Sequence, residues 1–152
     1  MRNITKQSFG EADHETVEAI RNTYRAMDRK ITALLAVNDL TRPQFMALKA
    51  VSEGGAVPMN KISDCLSVTP GNVTGIIDRL VRGGMLKRSG KEGDRRKIMI
   101  GMTKKGEDTY RRVLSAYSEF LGKVLSQLSQ TEREELKEHL TKLEEAIESV
   151  KI

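Results

Sequence analysis

The sequence predicts a mainly α-helical fold carrying one short antiparallel ribbon, and three observations lead there. Apolar residues recur at helical spacing through most of the 152 positions. That period gives way to alternation only between Met85 and Met102. Recognisable caps and Gly-Gly pairs divide the helical stretches.

Asp13 reads as the N-cap of a first helix, whose apolar positions Val17, Ile20, Tyr24, Met27, Ile31 and Leu34 are spaced 3, 4, 3, 4, 3. That spacing is a heptad seam, the pattern of a helix that packs along another helix. A second helix opens at Leu40-Thr41-Arg42-Pro43-Gln44, with Thr41 and Gln44 as a capping box and Pro43 in the first turn. Phe45, Leu48 and Val51 form its inner stripe, and Gly54-Gly55 ends it. A short helix follows from about Asn60 to Leu66, with Ile62, Cys65 and Leu66 facing inward. Thr69 then serves as N-cap and Pro70 as first residue of a fourth helix. Its stripe is Val73, Ile76, Ile77, Leu80 and Val81, and Gly83-Gly84 stops it.

Met85–Ser89 and Lys97–Met102 read as two strands around the polar loop Gly90–Arg96. Thr103 caps a long helix with the apolar positions Tyr110, Val113, Leu114, Tyr117, Phe120, Leu121, Val124, Leu125 and Leu128. The box Ser129–Glu132 starts a last helix bearing Leu136, Leu140, Leu143, Ile147 and Val150. A short helix, a tight turn, a capped second helix and a ribbon make a winged helix–turn–helix. The fold class expected is therefore mainly α, with a wing of two or three antiparallel strands and long terminal helices.

Composition excludes several function classes. Apolar residues are 38% and charged residues 31%, a globular balance. The longest small-and-aliphatic run, Ala33–Val37, is far short of the roughly 20 residues that span a bilayer, so no membrane association is expected. Residues Met1 to Glu11 are polar, which leaves secretion unsupported. A single cysteine rules out an intrachain disulfide and suits the cytoplasm. Cys65, on its inward face, is expected to be an inert core thiol. His14 and His139 lack a Cys partner nearby, so neither metal nor cofactor is expected. No nucleophile or carboxylate pair has the company that catalysis needs, so the chain is not expected to be an enzyme.

Charge placement says more than the total. Between Ala56 and Lys105 eleven basic residues face four acids, a local charge of +7 in a chain whose total is +5. A polyanion-binding module has this look, and so does a solvated charged face. Motif position separates the two. With one side of the fourth helix fixed by its apolar stripe, Gly71, Asn72, Thr74, Gly75, Asp78, Arg79 and Arg82 lie outside. Small hydrogen-bonding residues near a helix start allow close approach to a major groove, and the free N–H groups at Pro70–Asn72 suit a phosphate. Arg95 and Arg96 stand at the end of the ribbon with Lys91 nearby, where a guanidinium can enter a minor groove. Asp94 would repel phosphate and makes sense as an acceptor that orients an arginine, and Asp78 is a second candidate for that role. With Arg88 on the first ribbon strand, the candidate DNA-binding set is Thr69, Pro70, Gly71, Asn72, Thr74, Gly75, Arg79, Arg88, Lys91, Asp94, Arg95 and Arg96.

Leu66–Thr74, Ile77-Asp78-Arg79-Leu80, Gly84-Met85-Leu86, Asp94-Arg95-Arg96 and Met102–Gly106, in that order, resemble the MarR family of transcriptional regulators, as does Leu40–Phe45 upstream. Gly75 stands where the family usually has a larger, often basic residue, and Met102 where it has leucine. The resemblance implies a homodimer held by residues 12–38 and 104–152, with residues 40–103 as the DNA-binding unit. Two such units would read a pseudo-palindrome of double-stranded DNA as a repressor. The seams on three long terminal helices, in a chain with six aromatics, agree with burial across a dimer. The resemblance also implies release by a small phenolic or anionic effector, for which the candidates are Arg21, Tyr24, Met27, Arg42, Phe45, Met46 and Lys49. A different use of the same fold is a protein-interaction module whose basic face docks on an acidic partner.

Overall fold

A computed structural model describes residues 10–66, 70–91 and 94–150, with backbone alone at 70, 91 and 94–97. The element order is α1 (Glu11–Ala36), α2 (Arg42–Gly54), β1 (Val57–Pro58), α3 (Met59–Leu66), α4 (Pro70–Arg82), β2 (Leu86–Lys91), β3 (Asp94–Met102), α5 (Lys104–Leu125) and α6 (Gln130–Ser149). This is the mainly α arrangement with a small antiparallel wing that the sequence predicts. The chain falls into two compact units, Met1–Val113 and Leu114–Ile152, whose boundary lies inside α5.

Several expected caps are in place. The Thr41 N–H donates to Gln44 Oε1 at 2.8 Å, with Pro43 inside the first turn of α2. Thr103 Oγ accepts the Gly106 N–H at 3.1 Å and starts α5. Ser129 and Glu132 cap α6 reciprocally, at 3.2 Å and 2.8 Å. The Glu132 carboxyl is held below its ordinary value by the Ser129 backbone N–H first and the Ser129 side chain second. Gly84, at φ +72°, closes α4, with Gly84 N–H on Val81 O and Met85 N–H on Leu80 O, both 2.9 Å. The N-cap of Thr69 lies outside the described residues.

The first helix begins earlier than Asp13. Its N-cap is Gly10, and Asp13 sits at the third helical position, where Oδ2 accepts the Gly10 N–H at 3.1 Å. The carboxylate still satisfies a free donor, but from inside the first turn.

The sheet is antiparallel in the order β1-β3-β2. β1 is the third strand of a wing expected to have two or three, and its position carries no strand signal in the sequence. It is two residues long, contains Pro58, and exists because Val57 and Pro58 pair with Ile100 and Met99. The ribbon is also longer than the apolar alternation indicates. β2 runs on to Lys91 and β3 starts at Asp94, with a register irregularity between Gly90 and Lys91. Arg95 and Arg96 therefore fall inside β3, between Asp94, which pairs with Lys91, and Ile98, which pairs with Gly90, and not in a loop.

The core of the first unit gathers Leu35, Leu40, Leu48, Val51, Ile62, Val73, Ile77, Leu80, Leu86, Ile100 and Val113, all buried. Met59, Ile62 and Leu66 form the inner stripe of α3. Cys65 is exposed, so its expected place in the core is overturned. At 100° per residue it lies about 60° off Ile62 and about 100° off Leu66, outside the narrow buried arc of so short a helix.

Apolar side chains elsewhere remain uncovered in the single chain. Val17, Ile20 and Tyr24 of α1 are exposed, as are Leu114, Val124 and Leu125 of α5. On α6, Leu136, Leu140, Leu143 and Ile147 are 43%, 49%, 43% and 70% exposed.

Candidate nucleic-acid interface

α4 has two unlike sides. Val73, Ile77 and Leu80 are buried, and Ile76 and Val81 half-buried, which fixes the helix against the core. Gly71, Asn72, Thr74, Gly75, Arg79 and Arg82 are exposed, as the apolar spacing requires. Among the described residues a Cβ added at Gly71 or at Gly75 would meet nothing within 4 Å. No described neighbour requires either glycine, and together they leave a low strip one helical turn long. Thr74 Oγ lies 3.7 Å from Met59 Sδ at the start of α3.

The ribbon follows directly. Lys87, Arg88 and Ser89 are exposed on β2. Lys91 ends that strand opposite Asp94, which opens β3, and Arg95 and Arg96 come next. The side chains of Pro70, Lys91, Asp94, Arg95 and Arg96, and all of Thr69, lie outside the described residues, and the arginine-orienting role expected of Asp94 lies there with them. Asp78 is among the described residues. Its Oδ1 accepts from Arg88 Nη2 at 2.6 Å, tying α4 to β2, and its backbone carbonyl receives Arg82 Nε at 3.4 Å. Arg79 makes no ion pair among the described residues.

Two contacts anchor the end of α4. Lys105 Nζ donates to Gly83 O at 2.7 Å, and Thr103 Oγ to Gly84 O at 2.6 Å. Sequence reasoning did not single out Lys105. The cue was present in retrospect, because a lysine beside a strand end is well placed to reach the carbonyls that finish a helix.

The effector candidates occupy mixed settings. Tyr24 is 66% exposed, and Met27 and Met46 are half-buried. Arg21 pairs with Glu18, Arg42 of α2 with Asp28 of α1, and Lys49 with Glu53 at 3.8 Å. Phe45 stacks on Tyr110 of α5, with ring centroids 5.5 Å apart at 29°. Burial, and then the charge of Glu53, raise the Tyr110 hydroxyl above its ordinary value. Among the described residues no group of three His, Cys, Asp or Glu converges to hold a metal. No described helix is long and apolar enough to cross a membrane.

The MarR family model matches residues 40–98, the stretch from α2 into β3. The transcriptional regulator MgrA of Staphylococcus aureus is 33% identical over 113 residues, which cover 74% of this chain and 76% of MgrA. The uncharacterized regulator YfiV of Bacillus subtilis is 29% identical over 74% of this chain and 71% of its own length. Among solved structures, a MarR-like transcription regulator from Bacillus cereus superposes with a TM-score of 0.75 at 26% identity, over 90% of this chain and 99% of that one. MepR, described as a transcription regulator of the S. aureus multidrug efflux pump MepA, gives 0.73 at 25% identity, over 85% and 96%. The wing and helix pair resemble a DNA reader, and the relatives are regulators rather than enzymes. The chain belongs to the MarR family of DNA-binding transcriptional regulators.

Proposed function

We propose that the protein is a cytoplasmic repressor that binds a pseudo-palindromic operator as a homodimer, with residues 40–103 reading DNA and residues 12–38 and 104–152 joining the subunits. The observation that carries this reading is the exposed face of α4. It is small and polar where the other face is apolar, and it stands beside a ribbon that enters Arg95-Arg96. In this reading Asn72 and Thr74 meet base edges or phosphates, and Thr69, Pro70 and Gly71 offer a helix start to phosphate. Gly75 lets the helix come close, Arg79 and Arg88 flank it, and Lys91, Asp94, Arg95 and Arg96 form a minor-groove probe.

The exposed seams of α1, α5 and α6 support the dimer, because contiguous apolar faces on a single chain mark an interaction surface. The repressor role is supported by relatives such as MprA of Escherichia coli, described as a transcriptional repressor and 30% identical over 72% of this chain. A small phenolic or anionic effector taken up near Tyr24, Met27, Phe45, Met46 and Lys49, with Arg21 or Arg42 meeting its charge, would release the DNA.

Selection of duplexes from a random-sequence pool tests the reading. Enrichment of a pseudo-palindrome with half-sites about 10 bp apart is expected for a two-fold reader. Weak, sequence-independent retention of every duplex would overturn it and favour a module that docks on an acidic protein.

A further inference from the structure

Asp78 is out of place on a surface meant for phosphate. It lies on α4 within the +7 window and its side chain is 42% exposed. An unpartnered carboxylate there would repel the ligand. Its partner is Arg88, ten residues on and in a different element, at 2.6 Å. Exposed ion pairs are worth about 0–1 kcal/mol, so stability does not account for this one. Geometry does. Free arginine side chains sample many rotamers, and one nitrogen held by a carboxylate fixes the plane of the whole guanidinium while other donors of the fork remain for a ligand. Because α4 and β2 carry the two ends of the bond, the same contact sets the ribbon against the helix.

We infer that Asp78 is a positioning residue for DNA reading: its carboxylate on α4 holds the Arg88 guanidinium of β2 in a fixed orientation. The inference rests on the proposed DNA-reading function. Asp78 touches no base in this arrangement, and acts through Arg88.

The test compares the duplex that wild type enriches from a random pool with a scrambled duplex of the same length. Asp78→Asn keeps the shape and removes the charge. It is expected to bind the enriched duplex about tenfold more weakly, the size of one charge-assisted hydrogen bond lost from an oriented contact. It should bind the scrambled duplex as tightly as wild type or more tightly, because an acid has left a DNA-facing surface. A purely structural role would weaken both duplexes alike and lower Tm. Arg88→Ala should lose a similar factor, and the double variant no more than Arg88→Ala alone, as coupled partners do. Asp78→Glu should recover part of the loss. Equal or tighter binding of the enriched duplex by Asp78→Asn, or losses that simply add in the double variant, would overturn the inference while leaving the DNA-reading function intact. If wild type enriches nothing, that function falls and the positioning role with it.

Discussion

Replacing Gly75 by alanine is expected to stabilise the protein, and replacing Gly106 by alanine to destabilise it, although both glycines lie inside helices. Among the described residues a Cβ at Gly75 meets no atom within 4 Å, and the backbone there is ordinary helix. The change therefore acts through helix propensity, worth about 1 kcal/mol for Gly→Ala. At this chain length Tm should rise by about 2–4 °C. A Cβ at Gly106 would sit 2.0 Å from the Met85 carbonyl oxygen and 2.9 Å from Met102 Sδ. The obstructing oxygen is backbone, and it already accepts the Thr103 N–H at 3.1 Å, so it cannot swing aside without loosening the start of α5. Overpacking of this kind costs about 3 kcal/mol, against which the propensity gain offsets about 1, leaving a net loss near 2 kcal/mol. Thermal melts at fixed protein concentration read both, the second as a fall in Tm of about 4–8 °C. Gly75→Ala should also weaken binding to the enriched duplex, since a methyl then stands on the strip that approaches the groove. A lower Tm for Gly75→Ala, or an unchanged one for Gly106→Ala, would refute the packing argument. Tighter binding by Gly75→Ala would refute the close approach.

Other expectations concern the ribbon, the dimer and the last helix. Arg95→Ala and Arg96→Ala should each weaken binding of the enriched duplex in a gel-shift titration while sedimentation still shows a dimer, and retention of full affinity by both would remove the ribbon from the interface. Wild-type affinity should fall with salt at a log–log slope of about −0.9 for each phosphate contacted, and a flat titration would speak against phosphate contacts. Leu140→Glu places a charge on the apolar stripe of α6, so sedimentation should show monomer at micromolar concentration; an unaltered dimer would move the interface elsewhere. Glu132 is depressed below its ordinary 4.5 in the folded chain, so its capping contribution is complete above that value and lost as pH falls through the lowered one. Glu132→Gln should flatten that part of the acid limb of a Tm–pH curve, and an unchanged limb would show that the pairing with Ser129 contributes nothing.

Much of the fold was legible because its signals are local. Thr41 with Gln44, Thr103, and Ser129 with Glu132 each announce a helix start within four residues, and Gly83-Gly84 announces a stop. The exposed face of α4 followed from its apolar spacing alone. What could not be read depends on partners distant in sequence or on fine angular position. β1 is two residues made into a strand only by Ile100 and Met99, and β2 and β3 extend through polar residues by pairing with each other. Cys65 misses the buried arc of α3 by its angle, not its chemistry. Asp78 could be suspected of orienting an arginine, but which arginine became visible only when α4 and β2 came together.

The most direct test of the central claim is methylation interference on the enriched duplex. Dimethyl sulfate marks guanine N7 in the major groove and adenine N3 in the minor groove. A paired reader with a helix and a ribbon on each subunit should show interference at N7 and at N3 within each half-site, repeated with two-fold symmetry about one helical turn apart. Interference in a single groove, or in one half-site alone, would contradict it.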